Sequence, residues 1–131
     1  MHYESSGQKA YNTGATDFTG KQFYLVTLSA GVLAIATSAT QGLVLGALLD
    51  EGTPGQNVMV RLLSCQGTYN AVAGAAITAG ALLTLNASGQ VVAATQSAAG
   101  AQPTGQVVGR ALEAAAGAGQ IIEIMPVNFS Y

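Results

Sequence analysis

Glycines divide the chain into apolar runs that are too short for stable helices. Within residues 74–92, Gly74 and Gly80 bracket a run of five residues, whereas an isolated helix needs about 12–15 residues to be stable in water. Leu83 and Leu85 then share one face of an extended segment, and the Asn-Ala-Ser-Gly sequence ending at Gly89 suits a tight turn. We therefore predict a bend and a β-hairpin here, although the segment resembles an uncharged helix.

Two strands are predicted upstream of this hairpin. Residues 21–29 are rich in aromatic and branched side chains and place apolar groups on both faces, which indicates a strand buried on both sides. Residues 32–38 alternate in the same way and predict a second strand.

A further pair of strands is predicted within residues 42–65. The reversal between them falls at Gly52, Pro54 and Gly55, residues that supply permissive or preset backbone angles. After the turn, Val58 and every second residue share one face, which is the period of a strand and not of a helix.

This hairpin recurs near the end of the chain, because residues 42–60 align with 105–124 after an insertion of one residue. The positions that coincide are Gly42 with Gly105, Val44 with Val107, Gly46 with Gly109, Leu49 with Leu112, Asp50 with Glu113, Gly55-Gln56 with Gly119-Gln120, Val58 with Ile122 and Val60 with Ile124. Two units are too few for a solenoid, which needs about three. The alignment predicts a compact pseudo-symmetric β domain, in which the alanine-rich stretch after Arg110 is either a turn or a short helix.

The fold class predicted from these patterns is all-β. Residues 21–131 are expected to form one compact β-barrel-like or sandwich domain with at most one short helix. Residues 1–20 lack a periodic apolar pattern and are expected to be an extended N-terminal arm outside the core. The low-complexity stretch 94–105 is expected to be an exposed, mobile loop.

The scarcity of charge constrains the partners. Only 8% of the residues are charged, against about 25% in average soluble domains. Residues 30–49 are uncharged and long enough to span a membrane, but their polar and glycine content disfavours a span, so burial in an assembly is the better explanation. The four basic residues are scattered, which predicts no nucleic-acid partner, and the N-terminus lacks the apolar segment of a signal peptide.

Residues suited to catalysis or metal binding are almost absent from the sequence. His2 is the single histidine and Cys65 the single cysteine, so neither a nucleophile–base pair nor a disulfide within the chain is expected. Asp50, Glu51 and Glu113 fall in turns and are interpreted as solvated carboxylates. We predict no enzymatic activity, no cofactor and no metal site.

The order of these segments resembles one family. The run AVAGAAITAGALLTLNASGQVVAA, followed by PTGQVVGRALEAAAGAGQIIEIMPV, is similar to the capsid cement or head decoration proteins of tailed bacteriophages, with GLVLGALLDEGTPGQNVMVRLLSCQGTYN in the corresponding upstream place. The similarity covers about residues 21–127. It implies a β domain on the outer surface of the mature virion capsid, bound to the major capsid protein, commonly as a homotrimer, and stabilising contacts between capsomers. It transfers no catalytic residue.

Aromatic residues at the two ends are the candidates for contacts. Tyr3, Tyr11 and Phe18 either belong to a disordered tail or anchor an arm that becomes ordered on the capsid. Phe129 and Tyr131 are candidates for contact with another subunit or with the capsid. A host-surface or carbohydrate-binding module and a tail or neck component are the alternative functions.

Overall fold

The structure is a computed structural model that describes residues 8–37, 44–63, 67–94 and 107–126. These residues contain ten short strands and no helix. The strands are β1 (Gln8–Asn12), β2 (Leu25–Ser29), β3 (Val32–Ile35), β4 (Gly46–Leu48), β5 (Asn57–Leu62), β6 (Tyr69–Val72), β7 (Leu82–Leu85), β8 (Val91–Ala93), β9 (Gly109–Ala111) and β10 (Ile121–Met125). The all-β prediction is confirmed.

The strands form two antiparallel sheets with the same topology. The first sheet has the order β1-β5-β4-β2-β3, and the second has the order β6-β10-β9-β7-β8. Adding five to each strand number of the first sheet gives the second. The chain is therefore two tandem copies of one five-stranded unit, which we call the first repeat (residues 8–62) and the second repeat (residues 69–125).

Strand registers confirm the repeated hairpin that the sequence alignment predicts. Val60 pairs with Leu48 in the first repeat, and its counterpart Ile124 pairs with Ala111 in the second. The same correspondence runs through the other strands, since Leu25 lies opposite Ala47 as Leu82 lies opposite Arg110. The repeat is thus longer than the aligned hairpin and includes all five strands.

Each sheet curls around an apolar core, and the core of the second repeat is continuous with Leu25, Ala36, Val44 and Ala47 of the first. In the first repeat β1 approaches β3, and in the second a bridge joins Ala73 to Val91. The buried side chains inside the two curled sheets are matched in position: Phe18, Val26, Leu33, Leu48, Val58 and Val60 in the first, and Ile77, Leu83, Val91, Ala111, Ile122 and Ile124 in the second. Leu25 and Val26 are both fully buried, which confirms that β2 is covered on both faces.

The expectation that residues 1–20 stand outside the core is wrong for residues 8–20. Strand β1 is extended but pairs along its whole length with β5. The Phe18 N–H donates to Gly52 O at 2.8 Å, and its ring lies in the core at the place that Ile77 occupies in the second repeat. The segment is therefore the first part of a repeat, and its weak apolar pattern concealed this. Residues 1–7 lie outside the described residues.

Smaller differences concern the strand ends. Strand β2 begins at Leu25 and not at residue 21, because Phe23 adopts a positive φ of 68° and Tyr24 N–H donates to Lys21 O in a turn. In the second repeat the same place is taken by Gly80, at a φ of 89°. Nearly all of the loop expected at 94–105 lies outside the described residues.

The two repeats meet where the turn between β7 and β8 reaches the outer face of the first sheet. Leu25 N–H donates to Gly89 O at 2.9 Å, and Gln90 Nε2 donates to the Tyr24 hydroxyl at 3.2 Å. Gly89 has a φ of 81°, and a Cβ there would lie 2.6 Å from Ile35 Cγ2 and 3.2 Å from Ala36 O. We call this contact the joint; it requires a residue without a side chain at its centre.

Replacement of Gly89 by alanine is expected to destabilise the protein strongly. The variant pays for a left-handed backbone, about 1–2 kcal/mol, and adds an overpacking cost of about 1–3 kcal/mol at the joint. Gly80→Ala is the matched control, because Gly80 has a similar φ of 89° but nothing within 4 Å of its added Cβ. Chemical denaturation of both variants measures the difference; equal losses of stability would contradict the close packing at Gly89.

The contribution of Tyr69 to the stability of the fold is predicted to depend on pH. Its buried hydroxyl donates to Val108 O at 2.8 Å, and burial raises the pKa of the phenol above its usual range. Tyr69→Phe removes the donor and leaves a buried carbonyl unsatisfied, which costs about 1–3 kcal/mol. Because the folded state holds the phenol protonated, this stabilisation is complete below the unfolded pKa of about 10 and is lost as pH rises above it.

Denaturation of the wild type and of Tyr69→Phe between pH 7 and 11 tests this sign. The stability advantage of the wild type is expected to be constant up to about pH 10 and to shrink above it. An advantage that grows at high pH would contradict the assignment.

Candidate interaction surfaces

The aromatic contact candidates are divided by the structure. Phe18 is completely buried, so the expectation that it anchors an arm to a partner is corrected: its ring is part of the core of the first repeat. Tyr11 lies half-buried on β1, and Lys9 Nζ is 5.4 Å from the centre of its ring. Tyr3, Phe129 and Tyr131 lie outside the described residues.

The glycines and the proline singled out as turn residues differ in their physical role. Pro54, Gly55, Gly80 and Gly89 lie in turns or bends, and the three glycines among them have positive φ. Gly52 and Gly74 are required for another reason, close approach: a Cβ would lie 2.6 Å from Val58 Cγ1 at Gly52 and 2.4 Å from Asn86 Nδ2 at Gly74.

A polar cleft lies beside the turn between β4 and β5. It is lined by Gln22, Asp50, Glu51, Gln56 and Asn57. Each carboxylate accepts a backbone hydrogen bond, since Met59 N–H donates to Asp50 Oδ2 at 3.2 Å and Gly20 N–H donates to Glu51 Oε2 at 2.8 Å. This arrangement holds turns in place and provides no paired acid and base for catalysis.

The turn between β9 and β10 of the second repeat is held by the same pattern of hydrogen bonds. Glu123 N–H donates to Glu113 Oε1 at 2.9 Å, just as Met59 N–H donates to Asp50. Gln120 Oε1 accepts the Ala116 N–H, and its counterpart Gln56 Oε1 accepts the Thr53 N–H at 2.8 Å. Retention of these bonds in both repeats indicates that the acidic residue and the glutamine are structural.

Chemistry-bearing clusters are absent from the described ranges. Among those residues no group of three or more His, Cys, Asp or Glu side chains is placed to hold a metal ion. Within the same ranges no helix is long and apolar enough to cross a membrane. Asp17 sits in a surface turn, where hydrogen bonds from the Thr19 hydroxyl and N–H lower the pKa of its carboxyl. His2 and Cys65 lie outside the described residues.

Exposed apolar side chains concentrate at two places. Leu28 and Val32 flank the tip between β2 and β3 and are 43% and 47% exposed. Leu112, Ile121 and Met125 are 41–53% exposed and project from the outer face of the second sheet. The sequence reasoning missed this outer face, although apolar residues on both faces of β10 are a signal that could have revealed it.

A groove adjoins Met125 on the same outer face. It is lined by Gly80, Ala81, Leu82, Ala94 and Arg110. Arg110 lies across from Met125 on the neighbouring strand, and its Nη1 donates to Gly80 O at 2.7 Å. The groove is thus a depression with a mainly polar surface and a guanidinium at its edge, which suits contact with another polypeptide better than catalysis.

The structural role of the turn carboxylates is testable. Asp50→Ala and Glu113→Ala are each expected to lower the free energy of unfolding by about 0.5–1 kcal/mol, because a backbone N–H loses its acceptor. Asp50→Asn and Glu113→Gln keep an acceptor oxygen and are expected to retain most of that stability. Denaturation curves of the four variants measure the effect; equal losses in the alanine and amide variants would assign it to charge.

Comparison with known proteins gives a likeness of fold. No protein-family model matches the chain, and no curated protein matches its sequence. A solved structure does match: the crystal structure of the head fiber gp8.5 N base in bacteriophage phi29 superposes with a TM-score of 0.68 at 18% sequence identity. The match covers 92% of this chain and 94% of that one, so the two share their fold over almost their whole length.

Proposed function

We propose that the protein is a structural component of a tailed-phage head. In this proposal it binds the outer surface of the mature capsid as a homotrimer, has the major capsid protein as its partner, and stabilises contacts between capsomers against internal pressure. The observation that supports it best is the likeness in fold, over 92% of the chain, to the base of a phage head fiber.

The physical character of the chain supports such a role. With 8% charged residues and 50% hydrophobic ones, the protein has little charge with which to cover an isolated surface. A decoration protein acts through the area that it buries, at roughly 25 cal/mol per Å² of apolar surface before the costs of association are subtracted. A trimer that bridges several capsid subunits adds weak contacts through effective concentration.

An enzymatic role has little support, because both carboxylates of the polar cleft accept backbone hydrogen bonds that hold turns in place. A carbohydrate-binding module would offer exposed aromatic rings for stacking against sugars. In the described part of the chain, however, Phe18 and Tyr69 are buried and the remaining aromatic side chains are half-buried. These observations favour the structural role over a sugar-binding one.

The burial of Phe18 changes the set of proposed contact residues. With Phe18 committed to the core, the proposal retains Tyr3 and Tyr11 as candidates for the capsid contact, and Phe129 and Tyr131 for a subunit or capsid contact.

Binding to purified capsids tests the function. The protein is expected to bind expanded, undecorated capsids of its phage saturably and to raise the temperature at which they open. A variant lacking residues 2–7 keeps β1 and is expected to fold normally but to bind capsids at least tenfold more weakly, as loss of an aromatic anchor predicts. Tyr131→Ala tests the contact proposed at the other end of the chain, by the same binding measurement.

The outcomes separate the function from the contact residues. Absence of saturable binding by the full chain contradicts the capsid role. Full binding by the variant without residues 2–7, with its melting temperature unchanged, contradicts the contact assigned to Tyr3 and leaves the capsid role standing.

A further inference from the structure

The joint between the repeats uses a surface that the chain contains twice. In the first repeat this surface is covered by the second repeat, through the bond from Leu25 N–H to Gly89 O and a bond from Val72 N–H to Phe23 O at 3.3 Å. Leu25 and Ala47, which lie opposite each other on that face, are fully buried.

The groove of the second repeat is the counterpart of that covered surface. Its residues Gly80, Ala81, Leu82, Ala94 and Arg110 occupy the positions of Phe23, Tyr24, Leu25, Ala36 and Ala47. Backbone bonds establish the equivalence: Ala36 N–H donates to Leu25 O at 2.9 Å, and Ala94 N–H donates to Leu82 O at 2.8 Å. In the described structure, no second repeat covers this copy of the surface.

The turn between β7 and β8, which fills the joint, has an uncovered counterpart in the turn between β2 and β3. Gly89 lies two residues before Val91, as Gly31 lies two residues before the equivalent Leu33, and their φ angles are 81° and 80°. A Cβ at Gly89 would meet three atoms of the first repeat, whereas a Cβ at Gly31 would meet nothing within 4 Å. Leu28 and Val32 beside Gly31 are exposed.

We propose that the β2–β3 tip of one copy, centred on Gly31, docks into the groove of the second repeat of another copy. This contact repeats between chains the joint that the two repeats make within a chain. The exposed large hydrophobic residues of the described ranges lie on the two surfaces that it brings together: Leu28 and Val32 on the tip side, and Leu112, Ile121 and Met125 on the face that contains the groove.

The chemistry of the two surfaces is complementary. The tip is small and uncharged, with Ser29, Ala30 and Gly31 at its end, so its backbone can approach closely. Ala81, Leu82 and Ala94 line the groove, and its mainly polar surface offers hydrogen-bonding groups to the backbone of the tip. Arg110 uses Nη1 on Gly80 O, and a guanidinium has five N–H donors, so donors remain for carbonyl groups of an incoming turn.

The two surfaces differ, so the contact is head-to-tail and closes into a ring when the rotation between copies permits. This contact gives the proposed homotrimer a specific interface. It rests on the proposed function only for the number of copies. Association is measured in solution without capsids, so failure of this contact is distinguishable from failure of capsid binding.

Single substitutions test each surface in the full-length protein. Val32→Asp on the tip and Ala94→Glu in the groove are each expected to weaken self-association at least tenfold, measured by light scattering across a concentration series. Ala93→Glu is the matched control, since Ala93 is the exposed last residue of β8 and points to the opposite face from its neighbour Ala94. Leu28→Asp and Met125→Asp replace the first pair if either melts early.

Mixing the two variants tests the head-to-tail geometry. Val32→Asp keeps an intact groove and Ala94→Glu keeps an intact tip, so the mixture is expected to form dimers and nothing larger. The proposal is overturned by a mixture that stays monomeric, by single variants that associate like the wild type, or by a wild type that is monomeric up to about 1 mM.

Discussion

The close contact at Gly89 is the interaction on which the arrangement of the two repeats depends. The first repeat has a small core of its own, whereas the core of the second repeat is continuous with buried residues of the first. Five strands of three to six residues bury little by themselves. Leu25, Ala36, Val44 and Ala47 of the first repeat are buried in one cluster with side chains of the second repeat. A glycine at a φ of 81° lets the turn between β7 and β8 come within bonding distance of Leu25.

Duplication also explains why so uniform a composition specifies one structure. The same strand order and register occur in both halves, and the turn between the paired strands is held each time by an acidic residue and a glutamine that accept backbone N–H groups. Alanine-rich and glycine-rich strands offer few large side chains that would distinguish one strand register from another. Conserved hydrogen bonds at the turns therefore fix the register that side-chain size leaves open.

Part of the fold and of the candidate surfaces could be predicted from the sequence, and part could not. Alternation and turn residues were sufficient for β4, β5 and the β7–β8 hairpin, and the alignment of Val60 with Ile124 agrees with the observed pairing. The first strand was missed because β1 carries polar residues at the sheet edge, so its pairing with β5 leaves no apolar period to detect. Phe18 was mistaken for a contact because a single aromatic gives no sign of the core that it fills. The groove could not be predicted, because only the strand order of the second sheet brings Arg110 of β9 beside Leu82 of β7.

Among the described residues, the repeats join through one surface and a second copy of that surface is uncovered, which is the property that the proposed assembly of copies requires. The most direct test is electron cryo-microscopy of expanded capsids incubated with the purified protein. Density is expected on the outer surface, over junctions between capsomers, with neighbouring copies meeting tip to groove. Capsids that remain bare at saturating protein would contradict the proposed role.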